Sequence, residues 1–204
     1  MKQQAIYLLD SSGSYGWDFA NYHTMQANGK GVGIHHNAGS WPRDMLNVAR
    51  GPWQIPDYAE TPKLVFDSKR KVKDIYAVEY FYFISDEMKG LLEEVAPNSC
   101  EYGLCETEFD SGKPGPRIWQ CSVITSYSKA VDIENSEKIR LTAWGGYMIS
   151  GGANWQFLPA VLNGASLFRL VEFPIAALCD QRFKDLCRRR GIKGADFQQV
   201  GFLP

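Results

Sequence analysis

The sequence predicts an α+β fold: a largely antiparallel sheet with a few packed helices. Short runs rich in β-branched and aromatic residues outnumber the helical stretches. They do not alternate strictly with helices, as a parallel sheet would require. A helix-then-strand unit in the middle of the chain, FYFISDEMKGLLEEVAPNSCEYGLCE (Phe81–Glu106), also has a counterpart at the C-terminus, PIAALCDQRFKDLCRRRGIKGADFQQV (Pro174–Val200). In each, an apolar stretch meets a capping residue, Ser85 or Asp180. Helical spacing follows, and a break at Pro97-Asn98 or Gly191 leads into a strand-like segment. A duplicated unit and two ordinary helix–strand units both fit this pattern.

Along the chain, Met1 to Leu9 reads as an opening strand carried by Ala5, Ile6, Tyr7, Leu8 and Leu9. From Ser11 to Pro62, Gly-Ser, Asn-Gly, Trp-Pro, Gly-Pro and Ile-Pro signals come every few residues, predicting irregular loops tied down by aromatics. The texture changes near Val72, so residues 1–75 read as a loop-rich N-terminal region and 76–204 as an α+β region. Asp74 to Phe83 fits either a continuous strand or a helical turn leading into one. Ser85 caps a first helix, with Asp86 and Glu87 in its positive first turn and Met88, Leu91, Leu92 and Val95 on one face. Cys100 to Phe109 and Arg117 to Ser126 read as the arms of a hairpin around the turn at Ser111–Pro116. Ala130 to Ile133 and Ser166 to Glu172 are further strands. Asp180 caps a second helix, whose Phe183, Leu186 and Cys187 share a face. Lys184 and Arg188 to Arg190 suit its negative end, and Gly191 suits its terminus.

The 204 residues suffice for a sizeable core, and 45% hydrophobic with 22% charged residues is ordinary for a globular protein. A net charge of −1 and a pI near 6.3 argue against nucleic-acid or membrane-surface partners. No apolar run approaches the roughly eighteen residues of a membrane span, and no secretory leader is expected. Five cysteines, odd in number and scattered, read as reduced thiols of a cytoplasmic protein.

Catalytic signals are weak. Asn28 to Gly33 is glycine-rich but matches no phosphate-binding loop, and no strand–helix pair flanks it. His35-His36 point apart in either regular structure, and His23 is the only other histidine, which argues against a zinc site. Cys100 and Cys105 lack a second ligand pair. Gly146 to Gly151 has the wrong spacing for a nucleophile elbow. No cofactor or metal is expected. The charge pattern says more. Asp86, Glu87, Glu93, Glu94, Glu101, Glu106, Glu108 and Asp110 are opposed only by Lys89 within their own span. Basic clusters lie at Lys63 to Lys73 and Arg182 to Lys193. Such runs suit solvated faces, or an acidic face that seats a basic partner.

Four stretches resemble the DUF1629 family, also called immunity protein family 11. They are Phe83–Lys89 with Leu91-Leu92, Val131–Ser136 (VDIENS), Leu167–Leu170 (LFRL), and Phe183–Asp185 with Gly191–Phe197. Together they cover Tyr76 to Val200 in the family's order. Trp41-Pro42 and Pro56-Asp57-Tyr58 are similar to turns of that family. The resemblance implies an immunity protein, encoded beside its toxin, that binds the toxin domain and blocks its active site. It implies no catalytic residues. Given that resemblance, the candidate contact residues are the acidic Glu93, Glu94, Glu101, Glu106, Glu108 and Asp110. A hydrolase reversing a toxin's modification and an adaptor domain without a toxin are the competing expectations.

Overall fold

The computed structural model describes residues 3–11, 54–55, 63–78, 81–142, 146–148 and 153–204. The three histidines, the glycine-rich Asn28–Gly33 segment and nearly all of the Ser11–Pro62 loop region lie outside them. The strands are β1 (Gln4–Ser11), β2 (Lys63–Phe66), β3 (Ile75–Val78), β4 (Phe81–Ser85), β5 (Cys100–Leu104), β6 (Glu106–Phe109), β7 (Ile118–Val123), β8 (Ser126–Tyr127), β9 (Val131–Glu137), β10 (Arg140–Leu141), β11 (Tyr147–Met148), β12 (Asn154–Phe157), β13 (Leu167–Leu170), β14 (Phe173–Asp180) and β15 (Ala195–Leu203). The helices are α1 (Asp86–Val95), α2 (Pro159–Leu162) and α3 (Gln181–Arg190).

Two sheets organise these elements: a seven-stranded sheet in the order β8-β13-β14-β1-β15-β12-β9, and a four-stranded sheet in the order β3-β4-β7-β5. Most ladders are antiparallel. β12–β15, β13–β8 and the separate β2–β6 pair are parallel, so the larger sheet is mixed while the four-stranded one is antiparallel throughout. Asp74–Phe83 is neither a single strand nor a helical turn: it contains β3 and most of β4, paired antiparallel with Val78 opposite Phe81. Cys100–Phe109 is likewise two strands. β5 pairs with β7, while β6 leaves that sheet to pair with β2. The N-terminal strand β1 lies at the centre of the larger sheet, between β14 and β15.

The period-two alternation of the strands sends side chains into separate cores. One face of the larger sheet (Tyr7, Leu9, Leu167, Ala177, Cys179) meets one face of the smaller (Ile75, Tyr82, Ile84, Cys121, Val123), with α1 and α3 completing that core. The opposite face of the larger sheet buries Ile6, Phe168, Leu178 and Val200 with Trp155 and Phe157. The opposite face of the smaller sheet (Tyr76, Phe83, Ile118) is closed by Leu64 and Phe66 of β2. On α1, Met88, Leu91 and Leu92 are the buried stripe, as their spacing predicts, each contributing roughly 1.5–3 kcal/mol. On α3 the buried residues are Phe183 and Cys187, and Gly191 ends the helix at φ 67°.

The two strand–helix–strand units coincide in register. β4 and β5 flank β7, and β14 and β15 flank β1, with every one of these ladders antiparallel. Counting from Ser85 and Asp180, the pairs Tyr102–Cys121 and Leu104–Trp119 of the first unit correspond to Phe197–Leu9 and Gln199–Tyr7 of the second. On the other side, Tyr82–Cys121 and Ile84–Trp119 correspond to Ala177–Leu9 and Cys179–Tyr7. The caps match too. Each cap's amide donates to the carbonyl of the residue just before the hairpin, Ser85 to Asp74 (3.0 Å) and Asp180 to Ser166 (3.1 Å). Each cap's side chain also bonds that residue's side chain, with serine and aspartate exchanged: Ser85 Oγ donates to Asp74 Oδ1 (2.9 Å), and Ser166 Oγ donates to Asp180 Oδ2 (3.0 Å). Ser85→Ala removes both the cap to the Met88 amide and the bond to Asp74. It is expected to lower stability by about 1–2 kcal/mol in urea titration.

Candidate functional site

The six candidate acidic residues fall on separate elements, and most have partners within the chain. Glu93 pairs with Lys89 one helical turn away. Glu94 is bound by Arg190 of α3, which also reaches Glu87 at 3.4 Å. The acidic α1 and the basic end of α3 therefore neutralise one another in part. Glu101 accepts the Ile55 amide at 3.0 Å. Glu108 pairs at 2.8 Å with Lys63, diagonally across the parallel β2–β6 ladder in which Lys63 stands opposite Glu106. Asp110 accepts the Ser68 amide at 3.1 Å, and hydrogen bonds from Ser68 hold its carboxyl below the usual carboxylate range. Glu106 is exposed and has no partner among the described residues. The runs of like charge in the sequence are thus interleaved in space, and of the six candidates only the Glu106 side chain has no partner among the described residues.

A second constellation, which the sequence reading did not single out, stands where α1 begins over the β5–β7 ladder. Trp119 donates its indole N–H to Asp86 Oδ1 at 2.7 Å. Lys89 Nζ lies 5.0 Å from the Trp119 ring and 4.8 Å from that of Tyr102, and the Arg117 guanidinium stacks 4.9 Å from Trp119. Leu104, directly across the ladder from Trp119, is 47% exposed. Trp119 alternates with buried Ile118 and Gln120, and that period was the one signal available in the sequence. Its neighbours Asp86, Lys89 and Leu104 come from elsewhere in the chain.

Cys105 and Cys187 are pushed up to about 12 by burial, and Cys121 and Cys179 rise well above the usual thiol range for the same reason. Such thiols stay protonated and are poor nucleophiles. Among the described residues no group of three or more His, Cys, Asp or Glu could hold a metal ion. No helix among them is long and apolar enough to cross a membrane.

The described residues form a strand-rich scaffold that carries ordered charges and rings at its surface. The chain belongs to the immunity protein family Imm11, which matches it over residues 19–201. The match takes in both helix–strand units and most of the N-terminal region. No curated protein matches the chain.

Proposed function

We infer that the protein is an immunity factor that binds a toxin domain encoded by a neighbouring gene and blocks its active site, acting in the cytoplasm as a protein-binding inhibitor rather than an enzyme. Family membership across residues 19–201 is the observation that carries this reading. The acidic residues Glu93, Glu94, Glu101, Glu106, Glu108 and Asp110 are the proposed contacts for a basic toxin surface. Glu106 leads because none of the described residues engages it. Electrostatic contacts of this kind mainly accelerate encounter.

The test is co-expression with the C-terminal domain of the adjacent gene's product, scored for growth and for co-purification. Rescue with a stable complex supports the reading. Rescue without a complex would replace it with enzymatic reversal of the toxin's effect. Glu106→Lys is expected to slow association roughly three- to tenfold at low salt, with the difference shrinking as salt rises. Stopped-flow mixing with an inactivated toxin domain measures this, and an unchanged, salt-independent rate would remove Glu106 from the interface.

A further inference from the structure

We propose that the toxin domain seats an apolar side chain, flanked by basic groups, on the Leu104–Trp119 pair. The two helix–strand units supply an internal comparison for this surface. In both, the lysine at the same position after the cap lies over two rings, one from the inserted strand and one from the strand after the helix. In the first unit Lys89 covers Trp119 and Tyr102. In the second Lys184 lies 3.6 Å from the ring of Tyr7 and 6.0 Å from that of Phe197. This shared lattice holds α1 and α3 on their sheets, so by itself it points to no partner.

The units part at the surface. In the second, Tyr7 is 6% exposed, its hydroxyl bonds Gln181, and the residue across the ladder is the exposed, polar Gln199. In the first, the corresponding ring is the half-buried indole of Trp119, and the residue across the ladder is Leu104. The fold accepts a polar side chain at this position, as Gln199 shows, so the scaffold does not require an exposed leucine there. The indole beside it is held on both flanks by Lys89 and Arg117 and tethered through its N–H to Asp86. Preorganised Trp and Arg side chains around an exposed aliphatic residue have the composition of a binding hot spot.

The rim indicates what would fit. Lys89 is turned inward over the two rings and paired with Glu93. The carboxylates of Asp86 and Glu93 are more than half exposed, and Glu106 follows two residues after Leu104. Arg117, the exposed cation among them, pairs with Asp86 at 3.7 Å. The border thus carries three carboxylates against two cations, and an apolar centre with a net negative rim complements an apolar side chain with basic neighbours. Ile55 sits on the face of β5 opposite Leu104, its amide on Glu101 and its side chain 3.7 Å from where a Gly103 Cβ would stand.

The proposal rests on the toxin-binding reading, and calorimetric titration of the adjacent gene's toxin domain, inactivated by mutation, separates the two. If the wild-type protein does not bind that domain, the reading and the proposal both fall. If it binds, Leu104→Gln, which copies the second unit's own choice, is expected to weaken the affinity about tenfold or more, with the melting temperature of the free protein unchanged. Unchanged affinity would overturn the proposal and leave the toxin-binding reading intact. A lowered melting temperature would also overturn it, because Leu104 would then be packing within its own chain.

Discussion

Tyr82→Phe is expected to lower the stability of the protein by about 2–5 kcal/mol in denaturant titration. Tyr82 extends from β4 of the smaller sheet into the larger one. Its hydroxyl donates to the Leu9 carbonyl (3.0 Å) and accepts the Ala177 amide (3.0 Å). Leu9 and Ala177 face each other across the β1–β14 ladder, so the hydroxyl completes that ladder where β1 and β14 part. Phenylalanine preserves the ring and its packing but leaves a buried donor and a buried acceptor without partners. Each such group costs roughly 1–3 kcal/mol. If the loss fell below about 1 kcal/mol, the two sheets would not be joined through this hydroxyl.

The same residue fixes an alkaline signature. Burial pushes its hydroxyl up from 10.0 to about 12, with the Arg169 guanidinium pulling the other way. Below pH 10 the group is protonated in both folded and unfolded chains, and its contribution is complete. Between pH 10 and 12 the unfolded chain ionises first, so stability falls as pH rises, by about 3 kcal/mol from this group. Other buried hydroxyls and thiols titrate in the same window, so the diagnostic is a difference. The Tyr82→Phe protein should start less stable and lose less between pH 9 and 12 than the wild type. Parallel slopes would show that Tyr82 ionises freely in the folded protein.

What could be read in the sequence was local. Ser85, Asp180 and Gly191 declared the helix ends because capping is decided within one turn. The buried stripe of α1 followed from spacing alone. The division into β3 and β4 was invisible because the apolar run Ile75–Phe83 contains no Gly, Pro or Asn. The break at Cys105 was equally silent: its amide still bonds Ile118 (3.0 Å) while the chain passes to another sheet. Contacts distant in sequence left no local mark. Nothing near Arg169 announces that it is wholly buried, with Nε on the Val123 carbonyl (3.0 Å) and a guanidinium nitrogen on the Pro174 carbonyl (2.8 Å). Nothing in β1 or β7 marks them as the strands inserted into the two units. The acidic run was visible, but its partial cancellation was not, because Arg190 and Lys63 approach from helices and strands far along the chain.

Gly201 and Gly90 make opposite predictions from one substitution. A Cβ on Gly201 would overlap the Trp155 carbonyl oxygen and stand 2.8 Å from its carbonyl carbon. Both atoms belong to the backbone of β12, the parallel neighbour of β15, so no flexible side chain can yield. Trp155 is itself fully buried against Tyr147, Phe157 and Phe173, which prevents β12 from retreating. Gly201→Ala must therefore separate β12 from β15 and open the core beneath Trp155, at an expected cost above about 4 kcal/mol. Gly90 lies on the exposed side of α1, with nothing within 4 Å of where a Cβ would stand. Gly90→Ala should raise stability by about 0.5–1 kcal/mol, since alanine loses less backbone entropy in a helix. Thermal and urea denaturation of the two variants side by side decides the matter. Small, similar shifts would mean that β12 and β15 do not approach this closely, and the placement of β15 between β1 and β12 would have to be redrawn.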